Sequence, residues 1–140
     1  MTSRFLGTLS GTINTPPPVW LMRQAGRYMS EYRALRASEP DFISFCLNST
    51  KASEVTMQPI KRFGFDAAII FSDILLVPWA LNRNVRFVPG TGPLLETLQA
   101  VSDIDVALLD QMPDRLASVG QAIQMTRAHL PEETALIGFA

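Results

Sequence analysis

The sequence predicts an α/β fold with parallel strands, and three observations carry that prediction. Three short apolar runs, residues 19–22 (VWLM), 67–71 (AAIIF) and 136–139 (LIGF), are separated by stretches whose apolar residues recur at helical spacing. The middle run is apolar at every position, as in a strand covered on both faces; a strand with one wet face would alternate. No internal repeat, low-complexity tract or flexible linker interrupts the pattern, so residues 1–140 read as roughly three βα units in one block.

In chain order, the first run stops abruptly at Arg23-Gln24-Ala25-Gly26-Arg27, which places two guanidinium groups at the edge of a sheet just before a helix. Tyr28, Tyr32 and Leu35 fall at i, i+4 and i+7 and give that helix an apolar face, while Glu31, Arg33 and Arg36 point elsewhere. A second helix is predicted over residues 50–63, where Ala52, Val55, Pro59 and Phe63 recur at three- and four-residue intervals. Asn48 to Thr50 offer N-cap side chains, Gly64 suits the stop, and Pro59 is expected to bend the helix. The second run ends at Ser72-Asp73. Beyond Pro78, Val85, Phe87 and the turn-rich PGTGP at 89–93 predict an extended excursion or short hairpin. Leu116, Val119, Ile123 and Leu130 then share one helical face, closed by Pro131 before the last run.

With 140 residues and 47% hydrophobic content, the chain suits one ordinary domain without a bias toward disorder. A formal charge of −1 gives no electrostatic footprint for nucleic acid or an anionic membrane surface. No stretch approaches the length of a bilayer span and the N-terminus lacks a long apolar signal core, so a cytoplasmic location is expected. The lone Cys46 excludes an internal disulfide, cannot by itself form a metal site, and is expected to pack as a small apolar side chain. The single histidine, His129, lies in a polar helix end and is expected to face solvent.

The chemistry of the first loop favours an anion. Arginine forks pair with carboxylates or phosphates in bidentate fashion, while Ala25 and Gly26 leave room for a close approach. Positive charge at a helix start is electrostatically awkward, which tilts the reading toward a bound anion. On these residues alone, Arg23 and Arg27 read equally well as solvated charges, Asp73 more readily as an N-cap for the segment after it, and Arg36 more readily as a surface charge near Glu39.

Three blocks together carry a more specific signal. PVWLMRQAGRYMSEYR at 18–33 resembles the N-terminal signature of the uroporphyrinogen decarboxylase family. TMQPIKRFGFDAAIIFSD at 56–73, continued by ILLVP at 74–78, is similar to the family's next landmark, and ALIGFA at 135–140 to the start of its following strand. The resemblance runs from about Phe5 to Ala140 and is weakest over residues 96–133. It implies a (β/α)8 barrel of greater length, of which this chain is the N-terminal portion, cut inside or just after the third strand. Residues 1–140 by themselves are then expected to be poorly soluble or dependent on the remainder, because an apolar strand edge would lie open.

The same resemblance implies the activity: loss of carbon dioxide from the four acetates of a cyclic tetrapyrrole, uroporphyrinogen, with no cofactor or metal, in a cytoplasmic homodimer of porphyrin biosynthesis. Asp73 matches the aspartate of the family's FSDIL motif and would accept hydrogen bonds from pyrrole N–H groups, stabilising the ring once it is protonated. Arg23 and Arg27 match the two arginines that hold substrate carboxylates, and Arg23 would also assist proton delivery. Gln24, Ala25 and Gly26 would line the loop through backbone contacts, and Arg36 would meet a peripheral propionate. The tyrosine, serine and histidine that complete the family's site belong beyond Ala140, so the portion alone is expected to be inactive. Ser30 stands where the family usually has proline, Trp79 where a smaller or polar residue is usual, and Asn82 where glycine is frequent. Two other readings remain: a corrinoid- or thiol-dependent methyltransferase on a similar barrel, disfavoured because those enzymes lack the MRQAGRY block, and a non-catalytic binding protein that keeps only the anion loop.

Overall fold

The computed structural model describes residues 3–88 and 90–139; Met1, Thr2, Pro89 of the predicted turn and Ala140 of the last block lie outside the described residues. Its longest helix is the one whose ends the sequence marks most clearly. Helix α4 (Ser49–Phe63) follows α1 (Arg4–Leu9), α2 (Ser30–Ala37) and α3 (Phe42–Leu47). Asn48 caps α4 by accepting the Lys51 N–H at 3.1 Å, and Gly64 ends it in the left-handed region at φ 67°, a conformation that glycine adopts without a Cβ clash. Pro59 lies inside α4, fully buried.

Strand β1 (Ala67–Ile69) pairs in parallel with the last strand, residues Ala135–Ile137, in the register Ala67 to Ala135 and Ile69 to Ile137. Between them come α5 (Leu76–Ala80), an antiparallel hairpin of β2 (Arg86–Val88) and β3 (Gly92–Leu94), two single 3-10 turns, α6 (Met112–Arg115) and α7 (Ala117–His129), which makes Ala135–Ile137 strand β4. The connection from β1 to β4 thus passes through a helix packed on α4, as parallel pairing requires. The hairpin predicted around residues 85–93 is present. Asn82 turns with φ 55°, the left-handed conformation that explains why glycine would suit that position.

Three predictions change. Residues 19–22 form no ladder strand: Val19, Leu21 and Met22 are exposed. Pro16, Pro17 and Pro18 have no N–H to donate, and the Leu21 N–H is taken by the Gln24 side chain at 3.1 Å. Tyr28 does not belong to the apolar face of α2, which begins at Ser30; it is exposed and its hydroxyl donates to the Gln24 carbonyl. On α7 the buried face is Ala122 and Thr126, with Ile123 partly exposed. Close approach to α4 selects small side chains there, and the Thr126 and Ser53 hydroxyls meet at 3.0 Å in the seam.

Met57, Ile60, Ala68 and Leu130 form one apolar cluster, and Met29, Tyr32, Phe45 and Val55 a second. Phe71, at the exit of β1, packs edge-on against Phe45, Tyr32 and Phe42, with ring centroids 5.1, 5.9 and 6.0 Å away. Among the described residues, no helix is long and apolar enough to cross a membrane.

Candidate functional site

At the carboxyl end of β1 a hollow of about 280 Å³ is lined by Met22, Arg23, Gln24 and Ala25 on one side and by residues 69–73 on the other, with Phe42 and Phe139. Both charged segments singled out in the sequence therefore reach one place, where open α/β sheets and barrels bind their ligands. Gly26, Arg27 and Arg36 do not line it.

The arginine loop is fastened without a ladder. Gln24 is almost fully buried; its Oε1 accepts the Leu21 N–H and its Nε2 donates to the Ala67 carbonyl at 3.0 Å. The carboxamide thus stands between the two backbones where a direct bond would join adjacent strands, and, buried there, each of its polar atoms is committed to a backbone partner. Asp66 adds a second tie: its N–H donates to the Val19 carbonyl at 3.0 Å, and its Oδ2 accepts the Val19 N–H at 2.7 Å. Its Oδ1 accepts from Arg4 Nε at 3.0 Å, and its carbonyl accepts the Ala135 N–H at 3.1 Å, so one residue links all three apolar segments. Arg23 and Arg27 are exposed, and neither guanidinium has a hydrogen-bond or ion-pair partner among the described residues. An added Cβ at Gly26 would meet only the Tyr28 ring at 3.5 Å, an ordinary contact. Ala25 packs beside the cluster of Met29 and Phe45.

Asp73 is half-buried, and part of the plain N-cap reading holds for it. Oδ1 accepts the Leu75 N–H at 2.8 Å, and its carbonyl accepts the Leu76 N–H at 3.1 Å as α5 begins. Oδ2 has no hydrogen-bond partner among the described residues. Asp73 also borders a second hollow of about 460 Å³, lined by Leu76, Val77, Leu109, Met112, Leu116 and Val119 among others. Cys46 is buried nearby, and burial first, then the charge of Asp73, pushes its thiol up to about 12, so it stays an unreactive packed side chain as expected. His129 is exposed, also as expected, with Nδ1 2.7 Å from the Met125 carbonyl.

Arg36 is already engaged: it donates to the Glu39 carbonyl at 2.9 Å and lies over the Phe45 ring, 5.9 Å from the centroid. Sequence reasoning missed Met22, Phe42, Ser72 and Phe139 as lining residues, as well as the hydroxyl of Thr56 that receives the Phe71 N–H. The signal for Thr56 was a hydroxyl on the apolar face of an otherwise well-patterned helix. Among the described residues no group of three or more His, Cys, Asp or Glu side chains is placed to hold a metal ion.

A parallel strand pair whose carboxyl end carries an arginine loop and a carboxylate around one hollow defines an α/β protein with a candidate strand-end ligand site. The uroporphyrinogen decarboxylase (URO-D) family matches over residues 1–140. The chain belongs to that family. It is 49% identical over 140 residues to the uroporphyrinogen decarboxylase of Ruegeria pomeroyi, covering 99% of this chain and 41% of the relative. It is 52% identical over 135 residues to that of Maricaulis maris, covering 96% and 39%, and 49% identical over 139 residues to that of Caulobacter vibrioides, covering 99% and 39%. The chain spans about two fifths of the length of these curated relatives.

Proposed function

We propose that residues 1–140 form the N-terminal piece of a single (β/α)8 barrel domain that decarboxylates the four acetates of uroporphyrinogen to give coproporphyrinogen. The observation that carries this reading is the shared hollow: Arg23 and Asp73 arrive from different segments at the carboxyl end of one strand. Octacarboxylate chemistry suits both sides. The guanidinium groups of Arg23 and Arg27, exposed and without partners among the described residues, hold acetate or propionate carboxylates, and Asp73 Oδ2, unpartnered among the same residues, faces pyrrole N–H groups.

The reaction needs an electron sink, and the pyrrole supplies it. Protonation at a ring carbon makes the ring cationic; the acetate carbon–carbon bond then breaks, carbon dioxide leaves, and the bonding pair enters the ring. The exocyclic methylene takes a proton to become methyl as the ring carbon returns its own, so one proton replaces each carbon dioxide. Asp73 stabilises the cation, an electrostatic effect that strengthens as water is excluded. Arg23 and Arg27 fix the substrate's rim, and Arg23 also assists proton delivery; Arg36, engaged with Glu39, serves the periphery. No cofactor enters this scheme. A cytoplasmic homodimer completes it.

The test is an assay of the complete reading frame with uroporphyrinogen under reducing conditions. Stepwise release of four carbon dioxide molecules and accumulation of a tetramethyl, tetrapropionate product is expected. Tight binding of the porphyrinogen with no release would favour the non-catalytic binding reading.

A further inference from the structure

Thr56 sits in the middle of α4, 1% exposed, and its hydroxyl serves two backbones. It donates to the Ala52 carbonyl one turn earlier at 2.8 Å and accepts the Phe71 N–H at 2.8 Å. The position of that second bond matters. The Ile70 N–H makes the last backbone bond from this strand to β4, reaching the Ile137 carbonyl at 3.0 Å, and consecutive N–H groups along a strand point to opposite sides. The Phe71 N–H therefore faces away from β4, and a helix hydroxyl stands in for a strand partner there. Two residues later comes Asp73.

We infer that Thr56 is a positioning residue for Asp73: it fixes the exit of β1 so that the carboxylate stands in the hollow opposite the arginine loop. The inference rests on the role proposed above for Asp73. The geometry gives the exit three independent holds. The Phe71 backbone is bonded to Thr56, the Phe71 ring is wedged among Phe45, Tyr32 and Phe42, and the Asp73 side chain closes its own turn on Leu75. Of these, only the Thr56 bond ties the backbone to a rigid element. The back-bond to Ala52 orients the hydroxyl so that a lone pair faces Phe71, and the β-branched carbon restricts χ1, so little freedom is left to lose. Without the bond, the exit keeps its apolar packing but gains freedom along the strand, and a shift of about 1 Å in a group that must meet a transition state costs up to about 100-fold in rate.

The experiment uses the complete reading frame and three variants: Thr56→Val, which keeps the shape and removes the hydroxyl, Thr56→Ser, which keeps the hydroxyl, and Asp73→Asn. Each is first checked for folding by circular dichroism, and turnover is read well below its melting temperature. Thr56→Val is expected to lower kcat about 10- to 100-fold with KM within about twofold of wild type, and Thr56→Ser to restore kcat. Full kcat in folded Thr56→Val, or an equal loss in Thr56→Ser, overturns the positioning role while Asp73→Asn still lowers turnover sharply. Wild-type turnover in Asp73→Asn overturns instead the reading of Asp73 on which the inference rests. Should Thr56→Val fail to fold, Thr56→Ala removes the same hydroxyl and is read by the same split between kcat and KM.

Discussion

β1 delivers Asp73 from a hydrogen-bonded parallel ladder, whereas residues 19–22 deliver Arg23 from an extended backbone that joins no ladder. Around β1 the fold supplies regular pairing, a helix hydroxyl and a cluster of four aromatic rings. Around the arginine loop it supplies two side chains, Gln24 and Asp66, each bridging backbone groups across a gap. The difference teaches where precision is placed. On the proposed function, the carboxylate that would meet a developing charge stands on a braced exit, and the guanidinium groups that would receive flexible acid side chains stand exposed on a loop.

The comparison breaks most sharply at its rigid side. Asp73→Asn in the complete reading frame is expected to lower decarboxylation on the order of 10²- to 10³-fold with folding intact, measured by carbon dioxide release. Next comes the loop's brace. Gln24→Leu leaves the Leu21 N–H and the Ala67 carbonyl without partners, at about 1 to 3 kcal/mol for each group that stays dry. A drop in denaturation midpoint together with a raised KM is expected; an unchanged midpoint would show that water or a direct bond replaces the amide. Arg27→Lys keeps the charge and loses the fork, so affinity for a tetrapyrrole polycarboxylate is expected to fall roughly tenfold by titration, with kcat nearly unchanged. The smallest effect belongs to Asp66→Ala. Its pair with Arg4 is partly exposed and adds little, so the loss of the Val19 N–H bond dominates and stability falls by about 1 kcal/mol in a urea titration.

Much of this was legible in the residues, and the reasons differ by element. Asn48 and Gly64 mark the ends of α4 because capping chemistry is local. The all-apolar run after Asp66 gives a parallel strand because burial on both faces leaves no polar position. The first run misleads because it has a strand's composition but not its partners: the prolines before it have no donors, and the Gln24 amide takes the place of the ladder bond. Tyr28 fits a helical spacing that the chain does not extend to it, and α7 buries its small residues because α4 approaches closely. For the site, Arg23 and Asp73 were visible as motifs, Thr56 only as a hydroxyl on an apolar helix face, and Phe139 enters through tertiary contact.

The central claim is that the arginine loop and Asp73 form one site, and a double-mutant cycle tests it directly. Arg23→Ala, Asp73→Asn and the combined variant are compared on kcat/KM for uroporphyrinogen in the complete reading frame. If both residues hold the same bound substrate, loss of either lets it relax, and the double variant loses less than the sum of the single losses by on the order of 1 kcal/mol or more. Strict additivity would contradict the account and assign the two residues to separate tasks.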